Sequence, residues 1–304
     1  MIHSALVWLG FILFIITMLV LDLGIFQRKA HTIKIRESLL LTAFWISLAL
    51  LFNLGIYWFK GQKAALEFLA GYLLEESLSV DNIFVFLIIF SYFRVPSQYQ
   101  HKILFWGILG AIIMRFLFIV LGITLINQFH FIIYIFGALL IYTGIKMARH
   151  EDEEIHPEKN PILKLIGRLI PVSGEYEGDK FFVKRVGKFF ATPLFIVLLM
   201  VETTDVIFAV DSIPAIFGVT LDPFIVYTSN IFAILGLRAL YFALAGMMRK
   251  FHYLSYGLSI ILVFIGVKML ISNFLLIPIH IALGIVVTIL TSSMLASLRW
   301  PKSR

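Results

Sequence analysis

Nine stretches of about twenty apolar residues recur along the 304-residue chain, at about 4–26, 38–59, 66–92, 103–126, 129–148, 189–217, 224–247, 251–272 and 276–298. As a helix, each is long enough to cross a hydrocarbon core of about 30 Å. Backbone inside lipid must satisfy its own hydrogen bonds, so such runs fold as helices. Hydrophobic residues make up 61% of the chain and charged residues only 14%, too little charge to cover a soluble domain of this size. The sequence predicts an all-α, polytopic transmembrane helix bundle of about nine spans, a single transmembrane domain over 1–304 set in a lipid bilayer. The first run lacks a basic start and a small-residue cleavage site, and is expected to be a retained helix. Cysteine is absent, which excludes a disulfide framework or a thiolate metal site.

Charge placement orients the bundle. Arg28, Lys29, Lys34 and Arg36 follow the first run, Arg94 and Lys102 the third, and eight basic residues lie between 149 and 188. Arg249 and Lys250 follow the seventh run, and Arg299, Lys302 and Arg304 the ninth; the opposite loops offer only Lys60 and Lys63. The positive-inside rule then predicts an external N-terminus and a cytoplasmic C-terminus. The net charge of +7 reflects topology and calls for no nucleic acid. The cytoplasmic loop at about 149–188 reads as a solvated charged linker with a short amphipathic stretch near 163–170. His150, Glu151, Asp152 and His156 within it would also suit a metal or pH sensor.

An internal repeat divides the bundle. Ser79-Val80-Asp81-Asn82-Ile83 of the third run matches Ala209-Val210-Asp211-Ser212-Ile213 of the sixth. Arg115 of the fourth corresponds to Arg238 of the seventh, and Gly144-Ile145-Lys146-Met147 of the fifth to Gly266-Val267-Lys268-Met269 of the eighth. Runs three to five (about 66–148) therefore pair with runs six to eight (about 189–272). Separated by three helices, the two units are expected to be inverted in the membrane, an arrangement that places a transporter's substrate site at the repeat interface.

Ionisable side chains in a bilayer core cost about 2.5–3.5 kcal/mol each on insertion scales, so their presence points to function. Glu75 and Asp81 lie six residues apart in the first unit, Asp205 and Asp211 six apart in the second. Six residues advance a helix by about 600°, so neither pair shares a face. A break in each helix would turn both carboxylates inward, and Pro214 removes one backbone bond after the second pair. Two discontinuous helices, each offering two carboxylates, are therefore expected. With Asn82, Thr203, Thr204 and Ser212 they form a hard oxygen site suited to Mg²⁺, Ca²⁺ or Mn²⁺. Four carboxylates exceed the charge of one divalent ion, and Arg115 and Arg238 as counter-ions, or protons, would balance the surplus. Glu202, three residues before Asp205, fits a fifth ligand or a proton carrier. Asp22 would cap a helix end or line an exit path, and Asn230 would bond across helices or reach the site. Glu76 is read as interfacial.

Several of these segments also resemble a known family. Glu75-Glu76-Ser77-Leu78-Ser79-Val80-Asp81-Asn82 and Asp205-Val206-Ile207-Phe208-Ala209-Val210-Asp211-Ser212-Ile213-Pro214-Ala215 look like the two signature segments of the TerC family. Leu21-Asp22-Leu23-Gly24-Ile25-Phe26 and the stretch from Ser229 to Phe242 resemble its other hallmarks. The resemblance runs from the first run through the eighth. It implies manganese export across a bacterial inner membrane, with Glu75, Asp81, Asp205 and Asp211 as metal-site residues. The family commonly has Lys where this chain has Glu76. The expectation is a non-enzymatic exporter of Mn²⁺ as substrate, with proton counterflow and no resident cofactor. Two alternatives stand beside it: a proton-coupled exporter of a small organic cation or amino acid, and a non-transporting partner in insertion or metal loading of exported proteins. Oligomeric state is left open.

Overall fold

The computed structural model describes residues 2–26, 35–149, 170–185, 188–244 and 253–299; within these, the side chains of 2–5, 22–26, 35, 81, 84, 185, 188, 244 and 298 are outside the description. Nine helices and one hairpin make up the described chain: α1 (Ile2–Phe26), α2 (Ile35–Lys60), α3 (Gln62–Tyr92), α4 (Ser97–Gln128), α5 (Ile132–Ala148), β1 (Phe182–Arg185), β2 (Lys188–Ala191), α6 (Pro193–Phe217), α7 (Pro223–Leu244), α8 (Leu254–Leu270) and α9 (Ile279–Arg299). Each apolar run becomes one helix, within a few residues at either end. The chain is an all-α membrane bundle. Five helices, α2, α4, α6, α7 and α9, are long and apolar enough to cross a membrane, and α5 and α8 are shorter apolar helices.

Local chemistry sets the ends. Gly61, at φ 88°, makes the tight turn from α2 into α3 in a conformation that a side chain would disfavour. Pro193 opens α6 at its first position, where the missing N–H costs nothing. Residues 189–191, expected in the sixth span, instead form β2, antiparallel to β1.

The expected breaks in the acid-bearing helices are absent. α3 runs 31 residues and α6 runs 25 without interruption. Pro214 lies only three residues from the end of α6, and its carbonyl still accepts the Gly218 N–H at 3.1 Å. α6 remains whole because its paired acids need not share a face: Asp205 faces Arg115 and Asp211 faces Thr143.

α7 forms the axis of the bundle. Eighty-nine per cent of its span is buried, against 17–33% for α2, α4, α6 and α9. It packs against α2, α3 and α4, while α3 and α4 also pack against α6. Phe11, Phe52, Phe68, Phe224 and Phe232 interlock α1, α2, α3 and α7, with Phe52 and Phe232 centroids 4.8 Å apart. α5 and α8 meet most closely through small residues. A Cβ on Gly266 would stand 2.6 Å from the Gly137 carbonyl, and one on Gly144 would stand 2.8 Å from the Ser259 carbonyl. The Ser259 hydroxyl donates to the Gly144 carbonyl at 2.7 Å. Large apolar side chains such as Leu40, Leu51, Trp58, Phe59, Leu121 and Leu295 cover the outside, as contact with lipid rather than water requires.

The hairpin is tied to the bundle by polar contacts. Tyr176 donates to the Phe93 carbonyl at 2.8 Å, and Lys102 pairs with Asp179 at 2.9 Å. That hydrogen bond and the ammonium's charge hold the Asp179 carboxyl below its ordinary pKa. The expected amphipathic stretch near 163–170 and the candidate sensor residues His150, Glu151, Asp152 and His156 fall almost wholly outside the described residues.

Candidate cation site around Arg115

One guanidinium joins four helices at mid-depth. Arg115, on α4, is 1% exposed. Its Nη1 donates to Glu75 Oε1 of α3, to Ser212 Oγ of α6 at 2.8 Å and to Asn230 Oδ1 of α7 at 2.7 Å. Its Nη2 reaches Asp205 Oδ1 of α6 at 3.4 Å. Glu75, Asp205 and Asn230 are themselves 2%, 5% and 0% exposed.

Helical spacing builds this cage. Asp205 and Ser212 are seven residues apart, two turns along one face of α6. Glu75 comes from the matching segment of α3 and meets them across the guanidinium. Three oxygens crowd Nη1, which carries only two hydrogens. Asp205 Oδ2, Asn230 Nδ2 and Arg115 Nε are buried with no hydrogen-bond partner among the described residues. Two carboxylates face one guanidinium, so with all three ionised the cage carries one negative charge in a medium that makes such a charge costly. The oxygens of Glu75, Asp205, Ser212 and Asn230 are hard ligands of the chemical type that suits Mg²⁺, Ca²⁺ or Mn²⁺.

Of the four expected carboxylates, the structure brings Glu75 and Asp205 together. Asp211 instead accepts a 2.9 Å hydrogen bond from Thr143 of α5, because six residues from Asp205 turn it to another face. The Asp81 and Asp22 side chains lie outside the described residues. Among the described residues, no three acidic or histidine side chains group closely enough to hold a metal on their own. Asn82 is 3% exposed on α3, seven residues from Glu75. Thr203 and Thr204 turn away from the cage and donate to the Leu199 and Met200 carbonyls of their own helix, each at 2.7 Å.

Arg115 is the expected counter-ion and also the hub of the site, which the sequence does not reveal because nothing local marks its partners. Arg238, 5% exposed, lines a cavity of about 20 Å³ with Asp205, Gly107, Ala111 and Val201, room for about one water. Glu202 lies one turn before Asp205, with its carboxylate against the backbone of α4 at Gly110, in space that any Cβ there would fill. Among the described residues no cation pairs with it. Glu76, expected at the interface, packs inside beside Tyr72, with its Oε2 buried and no hydrogen-bond partner among the described residues. Gly236 of α7 faces it, and a Cβ there would make only ordinary contact with the carboxylate, at 3.9 Å. Nothing in the sequence marks Thr143 or Gly110: a threonine three residues from a lysine and a glycine in an apolar run carry no signal of their own.

Comparison with known proteins bears on this site. The family described as "Integral membrane protein TerC family" matches residues 60–304. An uncharacterized membrane protein of Myxococcus xanthus is 51% identical over 291 residues, covering 96% of this chain and 91% of that one. A protein of Escherichia coli K12 named "Putative membrane-bound redox modulator Alx" is 49% identical over 297 residues, 94% of this chain and 92% of that one. Its namesake in Photorhabdus laumondii is 47% identical over 301 residues, 96% and 94% of the two chains. No solved structure matches.

Proposed function

We propose that this chain, which belongs to the TerC family of integral membrane proteins, exports a hard divalent metal cation, Mn²⁺ foremost, from the cytoplasm of a bacterial cell. The observation that carries the proposal is the meeting of Glu75 and Asp205, from the two matching segments, with Ser212 and Asn230 around one buried cation. Oxygen donors converging at mid-depth on a positive charge are the arrangement a bilayer-spanning protein needs to strip and hold a hydrated ion. Mn²⁺ in particular follows from family resemblance; the preference for a hard ion follows from the donor set.

In this reading nine helices span the inner membrane, with the N-terminus outside, the C-terminus inside, and α3–α5 and α6–α8 as inverted units. Its support is the packing: α3 meets α6, α4 meets α7 and α5 meets α8, each helix its own counterpart. The approach of Gly137 to Gly266 is mirrored by that of Ser259 to Gly144, as a two-fold relation between the units would produce. Protons are the proposed counter-ion, and Asp81 and Asp211 the proposed second pair of carboxylates on the path.

The relatives named as redox modulators fit this reading by one route. With no cysteine in the chain, thiol exchange by its own side chains is excluded, whereas moving a redox-active metal would alter cellular redox balance indirectly.

The test is Mn²⁺ flux into proteoliposomes holding the purified protein under an imposed pH gradient, wild type against Asp205→Asn. Gradient-dependent flux that disappears in the variant is expected. Absence of flux in the folded wild type, with Mn²⁺ or any other divalent ion, overturns the proposal.

A further inference from the structure

Resting on the reading of the site as a divalent-cation carrier, the geometry points to Arg115 as a tethered substitute for the cargo: its guanidinium fills the oxygen cage until the ion displaces it, then moves from Asp205 to Glu202, one turn back along α6.

Charge balance gives the reason for the exchange. Glu75 and Asp205, both ionised, carry two negative charges, and the guanidinium neutralises one. A divalent ion in its place neutralises both, so replacement removes a net charge from the apolar interior. Both occupants draw on the same donors, namely Glu75 Oε1, Ser212 Oγ, Asn230 Oδ1 and Asp205 Oδ1. Two full occupants cannot share them, so the ion and the guanidinium compete.

The weakest contact marks where the ion enters. Asp205 lies 3.4 Å from the guanidinium, the longest of the four contacts, and its Oδ2 has no hydrogen-bond partner among the described residues. Asp205 also lines the cavity of about 20 Å³ beside Gly107 and Ala111. An arriving ion gains Asp205 first without breaking a short hydrogen bond.

The displaced guanidinium has a second berth. Glu202 and Asp205 are three residues apart on α6, about 4.5 Å along its axis. An arginine on a helix leans toward the N-terminal end of that helix, the end on which Gly110 lies. Gly110 is five residues and about 140° around α4 from Arg115, so the guanidinium has to swing across the α4–α6 contact to reach it. The Glu202 carboxylate lies directly against Gly110, with no cation paired to it among the described residues. Gly110 is therefore the residue that lets Glu202 approach α4 closely enough to receive Arg115. The movement carries the positive charge toward the end of α4 and α6 that joins the Arg94 turn and the hairpin, and closes that side behind the ion.

Mn²⁺ affinity of the purified full chain in nanodiscs tests the exchange, using isothermal titration of wild type, Arg115→Gln and Gly110→Ala. If the guanidinium occupies the cage most of the time, removing it raises apparent affinity by that occupancy factor. Arg115→Gln is expected to bind Mn²⁺ at least about tenfold more tightly while losing flux, because the occupant that closes the site is gone. Gly110→Ala keeps every cage residue but pushes Glu202 away, and is expected to weaken Mn²⁺ binding several-fold. Wild-type affinity in both variants, or weaker binding in a folded Arg115→Gln, overturns the exchange and leaves the transport reading standing. If Arg115→Gln does not fold, Gly110→Ala decides alone: unchanged affinity overturns the exchange. No divalent-ion binding by the folded wild type overturns both.

Discussion

At the scale of single residues, the cage around Arg115 makes graded demands. Asp205→Asn keeps the shape but removes a charge from an under-satisfied acceptor, and Mn²⁺ flux is expected to fall by on the order of 100-fold with the protein still folded. Ser212→Ala removes one neutral donor that Arg115 holds at 2.8 Å, and a loss of about tenfold in Mn²⁺ affinity is expected by titration. Wild-type values in both variants would place the cargo elsewhere. The acids themselves are legible in the sequence, because a carboxylate inside an apolar run is costly enough to be conspicuous. Their partners are not: Glu75 meets Asp205 only because Arg115 and Asn230 come from two other stretches. The six-residue spacing misled for a related reason. It demands a broken helix only if both acids must face inward, whereas an intact helix serves Asp205 and Asp211 by giving them different neighbours, Arg115 and Thr143.

Among the elements, the α5–α8 crossing and the hairpin invite different tests. Gly266→Leu forces a side chain onto the Gly137 carbonyl, which is backbone and cannot step aside. Overpacking of this kind costs about 1–3 kcal/mol or more, and a lower midpoint of thermal unfolding in detergent is expected. An unchanged midpoint would mean that the two helices separate freely. The hairpin depends instead on Tyr176 and on Lys102 with Asp179. Because the Asp179 carboxyl titrates below its ordinary range, its tether is intact above the ordinary carboxylate pKa and is lost as pH falls through the lowered value. Limited proteolysis between residues 170 and 191 is therefore expected to accelerate in Tyr176→Phe/Lys102→Ala at neutral pH, and in wild type only under strongly acid conditions. Apolar runs made the helices easy to find. The hairpin was hidden because β1 and β2, four residues each, sit among charges that read as linker.

For the whole molecule, orientation is the property most open to measurement. A cysteine-free chain needs no background thiols removed, so single substitutions Gln62→Cys and Glu175→Cys can be labelled in intact cells with an impermeant maleimide. Labelling at 62 and protection at 175 are expected; the reverse pattern would turn the proposed export into uptake. The four-helix hub also has a consequence for how the protein is made. A ribosome delivers α3 and α4 first, and Glu75 with Arg115 can enter the bilayer as a self-neutralising hairpin. α6 arrives later with Glu202, Asp205 and Asp211 and no basic residue inside its span, so it carries a debt of charge until it docks on a hub already in place. Insertion of this chain is therefore ordered: the first half is a template that the second half requires, and a chain stalled after α6 without Arg115 would hold its acids exposed to lipid and to the proteases that police the membrane.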